Sequence, residues 1–92
     1  MMLKPTVPME KFISDAGFKR CKRPYEACVY LCISRGIKMI FVSEVMLDVV
    51  DWDDGDPRIH KKANCKYSDT RDVLDIIYQL IKAGMVKAEW EG

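Results

Sequence analysis

Residues 68–90 read SDTRDVLDIIYQLIKAGMVKAEW, and this stretch decides the predicted fold. Ser68 or Asp69 can cap a helix whose apolar residues recur at helical spacing. Gly84 suits the left-handed position past the last turn, which predicts that the helix ends beside it. Apolar and charged residues then alternate from residue 85 to residue 90, as they do in a strand. The predicted apolar stripe of the helix consists of Val73, Leu74, Ile77, Leu80 and Ile81.

The first third of the chain predicts an arm and two helices. Residues 1–8 form the arm, because prolines interrupt regular structure there. Residues 9–16 carry apolar side chains at helical spacing and precede Gly17, which favours a short helix with a glycine stop. Residues 24–35 are apolar nearly all round, which predicts a buried helix. A continuous strand is the competing interpretation of that run.

The middle of the chain predicts a strand, a third helix and a long loop. Residues 37–42 are β-branched and aromatic, which is typical of a strand. Ser43 can cap a helix over residues 44–50. An acidic loop with Trp52 follows, and then a basic segment. These elements predict a single α+β domain that is mainly helical, in which the strands at 37–42 and 85–90 pair as a small two-stranded antiparallel ribbon.

This order of elements resembles the winged-helix superfamily. The resemblance depends on the predicted helix at 24–35, the strand at 37–42, the sequence VSEVMLDVV at 42–50 and the helix–glycine–strand ending at 68–90. It implies a winged-helix-like domain over residues 9–92, in which the helix at 70–83 would be the one that meets DNA.

Composition limits the classes of protein that fit. The 92 residues make one domain, and the 49% apolar content is that of a folded chain. A net charge of +1 gives no overall attraction to nucleic acid or membrane. No apolar run approaches the roughly 20 residues that span a bilayer, and the first residues lack the apolar core of a signal peptide. We therefore expect a cytoplasmic protein with reduced cysteines and no membrane partner.

Acidic residues on the predicted helix at 70–83 argue against contact with DNA bases. Aspartates spaced three apart line one ridge of that helix, where phosphates would repel them. An acidic ridge suits a protein partner of complementary charge. Trp52, in the acidic loop, is a candidate interface anchor, and the alternative is that it folds back over the core. The predicted partner-binding residues are Trp52, Asp69, Asp72, Asp75 and Gln79.

Two basic segments keep nucleic-acid binding open by another route. Tyr67 beside the second segment could stack on a base, although such segments are more often solvated loops. The candidate nucleic-acid-binding residues are Lys19, Arg20, Lys22, Arg23, Arg58, Lys61, Lys62, Lys66 and Tyr67.

Metal binding and catalysis receive less support from the sequence. Cys28 and Cys32 would share a face of a helix, and with His60 and Cys65 they could form a tetrahedral zinc site. Cysteines of the core are the favoured alternative. No nucleophile and base occur in a recognisable pattern, so we predict no catalytic residue, no cofactor and no enzyme activity.

The sequence therefore predicts a small non-enzymatic regulator or inhibitor that docks on a protein or nucleoprotein complex. Its size and lack of a catalytic motif are typical of accessory factors that phages encode, including anti-defence proteins. One alternative is a DNA-binding winged-helix transcription regulator that acts as a homodimer. The other is a zinc-stabilised interaction module.

Overall fold

The computed structural model describes residues 2–33, 37–60 and 71–89. Strands make up 33% of these residues and helices 24%, so the expected mainly helical, winged-helix-like domain with a two-stranded ribbon is wrong. In chain order the elements are β1 (Met2–Pro5), α1 (Met9–Ala16), β2 (Lys19–Arg20), β3 (Val29–Ile33), β4 (Lys38–Val42), β5 (Leu47–Asp51), α2 (Val73–Lys82) and β6 (Val86–Glu89).

Four of the strands form one antiparallel sheet in the order β2-β3-β4-β5. Strand β3 pairs with β4 along its whole length, from Val29 opposite Val42 to Ile33 opposite Lys38. Strand β4 in turn pairs with β5, so that Val42 also lies opposite Leu47. Both central strands are therefore hydrogen-bonded on two sides, and all of their residues except Lys38 are buried.

The segment at 24–35, expected to be a helix, contains strand β3. All five residues of β3 are buried. Successive side chains of a strand face opposite sides of the sheet, so a strand covered on both sides is as uniformly apolar as a buried helix. Leu31 joins a core that includes both helices, whereas Tyr30 and Cys32 join a second cluster. The apolar run arises because this strand is buried on both faces. A strand was the competing interpretation of this segment.

The helix expected at residues 44–50 is also absent, because this segment turns and enters β5. The backbone N–H of Ser43 donates to the carbonyl of Met46 at 2.9 Å, which closes the turn between β4 and β5. The Ser43 hydroxyl oxygen accepts the backbone N–H groups of Val45 and Met46 at 3.2 and 3.3 Å. This is the chemistry of a helix cap, but here it stabilises a hairpin turn.

A second sheet joins two distant parts of the chain. Strand β1 pairs antiparallel with β6, from Met2 opposite Glu89 to Pro5 opposite Val86. The expectation that residues 1–8 lack regular structure is therefore wrong. Pro5 is tolerated at the end of its strand, where the following residue resumes backbone bonding to Met85. The ribbon expected between residues 37–42 and 85–90 does not form, because β4 lies between β3 and β5.

Both expected helices are present: α1 has the expected bounds of 9–16, and α2 is shorter than the expected 70–83. Gly17 ends α1 with a φ of 76°, in the left-handed region that glycine tolerates. Gly84 follows α2 with a φ of 74°. There the N–H of Gly84 donates to Ile81 and that of Met85 donates to Leu80, both at 2.9 Å. These two bonds are a Schellman ending, and they direct the chain from α2 into β6.

The sheet of β2–β5 has a covered face on each side. One face packs against α1 and α2, with Phe12, Leu31, Ile40 and Leu80 in one buried cluster. The other face lies under the segment at 52–60, which follows β5. The second buried cluster consists of Cys21, Tyr30, Cys32, Met39, Phe41 and Ile59. A loop, rather than a helix, therefore completes the second layer of this fold.

We predict that Ile59→Ala destabilises the protein by about 2–4 kcal/mol, because it removes the apolar side chain that the loop contributes to the second cluster. Ile59 is only 1% exposed. Val45→Ala is the control, since Val45 is 63% exposed in the β4–β5 turn and should change stability by less than about 0.5 kcal/mol. Urea denaturation measures both values. Equal effects of the two substitutions would show that the loop does not seal this face.

Candidate interaction surface

Helix α2 begins with a capping box made of two of the predicted partner-binding residues. The Asp72 carboxylate accepts the backbone N–H of Asp75 at 2.9 Å, and the Asp75 carboxylate accepts the backbone N–H of Asp72 at 3.4 Å. These bonds satisfy donors that a helix start leaves free, and the negative charges favour the N-terminal end of the helix dipole. The two carboxylates therefore have a structural role at this position.

Two further predicted partner-binding residues have partners within the chain. The Gln79 side-chain oxygen accepts a hydrogen bond from the Arg71 guanidinium. Trp52 is half-buried against the second cluster, and its ring N–H donates to the Asp54 carboxylate at 2.9 Å. The structure thus places Trp52 as the alternative interpretation of the sequence describes, folded back over the core.

The outward surface of α2 is apolar. Leu74 is 75% exposed, Tyr78 is 65% exposed and Ile81 is 44% exposed. These residues are spaced i, i+4 and i+7, so they lie on one side of the helix. We call them the outer stripe. Large apolar side chains grouped on a surface are typical of interaction sites.

The sequence-based stripe mixes inward and outward residues. Ile76 and Leu80 are the buried residues of α2, and Val73 and Ile77 pack partly against the same core. Leu74 and Ile81, which belong to the apolar stripe predicted from the sequence, are exposed on the other side of the helix. Tyr78 was not singled out from the sequence. Its spacing from Leu74 and Ile81 was the sequence signal that could have identified it. The three residues share one side of the helix, different from the side that carries Ile76 and Leu80.

Two opposite charges lie beside the outer stripe. At about 100° per residue, Asp75 and Lys82 fall on the same flank of the line through Leu74, Tyr78 and Ile81. Asp75 is at the N-terminal end of this surface and Lys82 at the C-terminal end, and both are exposed. The flank is therefore negative at one end and positive at the other.

A cleft of about 380 Å³ lies on the other side of α2, where this helix approaches the end of α1. Its apolar walls include Leu31 and Ile76, and Asp15, Arg71 and Gln79 provide polar groups. Its volume falls at the low end of the range for small-molecule sites. Since Arg71 and Gln79 already bond to each other, the cleft offers few polar groups that converge on a ligand.

The basic segment at 19–23 meets Arg58, as the backbone N–H of Lys22 donates to the carbonyl of Arg58 at 2.8 Å. Much of the positive charge there is paired. Arg20 bonds to the Glu10 carboxylate at 3.0 Å, and Arg23 lies 3.9 Å from a carboxylate oxygen of Glu26. Lys19, Arg20, Lys22 and Arg23 are all exposed.

Arg58 is held by two other side chains. Its guanidinium donates to both carboxylate oxygens of Asp56, at 3.0 and 2.8 Å, and lies 3.6 Å from the centre of the Phe41 ring. The hydrogen bonds from Arg58 lower the pKa of Asp56, and those same bonds raise the pKa of Arg58. A guanidinium in this position anchors the loop at 52–60 to the sheet.

Two cysteines of the proposed zinc site, Cys28 and Cys32, lie on the second face of the sheet. Cys28 and Cys32 share this face because they are an even number of residues apart, in an extended segment rather than a helix. Cys21, which the proposed set omitted, lies beside them, and burial raises its pKa to about 12. The backbone N–H of His60 donates to the Tyr30 hydroxyl at 3.2 Å. Within residues 2–33, 37–60 and 71–89, no group of three or more metal-ligating side chains is found.

Several candidates from the sequence lie outside the described residues. They are Lys61, Lys62, Cys65, Lys66, Tyr67 and Asp69.

A comparison with models of protein families, with curated proteins and with solved structures finds no match to this chain. In the part of the chain that the structure describes, no helix is long and apolar enough to cross a membrane.

We predict that Asp72→Ala lowers the free energy of unfolding by about 1 kcal/mol, because the first N–H groups of α2 lose their acceptor. Asp72→Ser keeps an acceptor oxygen and should stay within about 0.5 kcal/mol of the wild type. Thermal and urea melts followed by circular dichroism measure both. If alanine and serine behave alike, the capping bond does not stabilise this helix.

We predict that Asp56→Asn makes the free energy of unfolding depend less steeply on pH in the acidic range. The pKa of Asp56 is lowered in the folded state, so its contribution is present above about pH 4 and is lost as the pH falls through the lowered value. The variant should be less stable at pH 7 and should lose less stability on acidification. Urea melts from neutral to acidic pH test this, with the exposed neighbour Asp53→Asn as control. If the unfolding free energy of Asp56→Asn falls with acidification as steeply as that of the wild type, ionised Asp56 does not stabilise the fold.

Proposed function

We propose that this protein is a small non-enzymatic regulator or inhibitor that binds a protein partner through the outer stripe of α2. The observation that carries the proposal is the exposure of Leu74, Tyr78 and Ile81 on a helix whose opposite side is already buried. A helix that is apolar on both sides is usually covered on both sides. A spacing of i, i+4 and i+7 also matches the anchors of helices that lie in an apolar groove.

The way in which α2 is held supports this role. The capping box fixes its first turn and the Schellman bonds fix its last turn. Ile76 and Leu80 fasten its inner side to the core. A helix that is ordered before binding loses little conformational entropy when a partner covers it. The outer stripe is therefore a preorganised surface of three large side chains, of which tyrosine is a frequent energetic centre of interfaces.

The charged flank defines the chemistry of the partner. A protein that covers the outer stripe would place a cation near Asp75 and an anion near Lys82, around an apolar centre. Such a partner differs from a nucleic acid, whose phosphates carry a uniform negative charge. Nucleic-acid binding has weaker support, since Arg20 and Arg58 are engaged by Glu10 and Asp56. Fluorescence anisotropy of labelled duplex DNA across a salt series separates the two functions.

We predict that a photo-reactive amino acid at position 78 forms a discrete crosslink to a protein in the cells that make this chain. The same amino acid at position 45 is the matched control, because Val45 and Tyr78 are exposed to a similar extent, 63% and 65%. Adding Leu74→Ala and Ile81→Ala should remove the crosslink from position 78, since the remaining apolar contacts are lost. Circular dichroism checks that these variants stay folded.

Two results of this experiment would contradict the proposed function. A crosslink that persists in the Leu74→Ala/Ile81→Ala background, or equal crosslinking from positions 45 and 78, would mean that the outer stripe does not bind the partner. The mass of the crosslinked species distinguishes a second copy of the chain from a different protein.

A further inference from the structure

We infer that the partner of the outer stripe is a second copy of this chain, packed with its α2 antiparallel to the first around a twofold axis beside Tyr78. This inference rests on the proposed function, since it names the occupant of the same surface. It follows from the arrangement of apolar and charged residues along the exposed side of α2.

The apolar residues are arranged symmetrically about their centre. Leu74 lies four residues before Tyr78 and Ile81 lies three residues after it. An antiparallel pairing about Tyr78 therefore brings Leu74 of each copy to Ile81 of the other, and the two Tyr78 rings meet at the axis. A twofold interface requires one surface that is complementary to itself, and the outer stripe meets this requirement.

The charges select the antiparallel arrangement. A twofold axis perpendicular to both helices reverses their direction but keeps each flank on its own side. The flank that carries Asp75 and Lys82 thus meets the same flank of the second copy, with Asp75 opposite Lys82 and Lys82 opposite Asp75. In a parallel pairing about a twofold axis the two charged flanks lie on opposite sides of the interface, so neither Asp75 nor Lys82 gains a partner of opposite charge. A second copy supplies this complementarity by symmetry alone.

The size of the surface predicts how strongly the copies associate. Three large side chains on a helix of ten residues form an interface at or below the small end of those seen in stable complexes. We therefore expect a weak, reversible dimer. Sedimentation velocity across roughly 1 μM to 1 mM should show a shift from monomer to dimer.

The first pair of variants tests the surface. Tyr78→Arg places two like charges at the axis and should leave the chain monomeric throughout the range. Val45→Arg adds the same charge at an equally exposed site outside α2 and should dimerise like the wild type. A wild type that is monomeric at the highest concentration, or a Tyr78→Arg variant that dimerises normally, would overturn the inference.

The second pair tests the orientation. Lys82→Glu makes the flank entirely negative and Asp75→Lys makes it entirely positive, so each variant alone should dimerise roughly tenfold more weakly. An equal mixture should recover wild-type association, because a negative flank then meets a positive one. A mixture no stronger than its components would contradict the antiparallel pairing.

Since Asp75→Lys also removes part of the capping box, a crosslink provides an independent test of orientation. A photo-reactive group at position 74 should attach to the peptide that contains Ile81 of the second copy, whereas attachment at the start of α2 would contradict the pairing. If the wild type is monomeric but position 78 captures a different protein, this inference fails and the proposed function stands. If position 78 captures nothing, both fail.

Discussion

The burial of strand β3 on both of its faces is the constraint on which the rest of the structure depends. Five consecutive buried side chains must be shielded in alternating directions. Helices α1 and α2 shield one face, and the loop at 52–60 shields the other through Ile59. Arg58 holds that loop in place by bonding to Asp56 and stacking on Phe41. The pair of Arg58 and Asp56 therefore helps to close the second face of the sheet.

The parts of the fold that could be predicted are those with local signals. Both helices have apolar spacing and end at a glycine, and β4 and β6 have β-branched or alternating residues. Strand β3 was mistaken for a helix because burial on both faces erases the alternation of a strand. Strand β5 was missed because Ser43 caps a turn with the same bonds that it would use in a helix. Pairing of β1 with β6 depends on residues more than eighty positions apart, and no local pattern records it.

The candidate site illustrates a related difficulty. The sequence predicts charged and aromatic residues such as Asp72 and Trp52 as partner-binding residues, but their polar groups bond within the chain. The outer stripe of α2 is apolar and exposed. Helix α2 has two apolar sides, and in the sequence they form a single pattern that does not tell them apart. Only the packing of Ile76 and Leu80 against the core shows which side faces outward. The exposure of Tyr78 therefore depends on how the helix packs in the tertiary structure, and helical spacing alone does not predict it.

Pairing of β1 with β6 also sets an order of events during synthesis. Strand β1 leaves the ribosome before its hydrogen-bonding partner β6, which follows more than eighty residues later. Contacts between such distant residues form late, because a long loop must close before they stabilise the chain. Helix α2 is joined to β6 by the three residues 83–85, so its final anchoring waits for the same event. The surface of α2 is thus presented in its final form only after β6 has been synthesised, which separates folding from association in time.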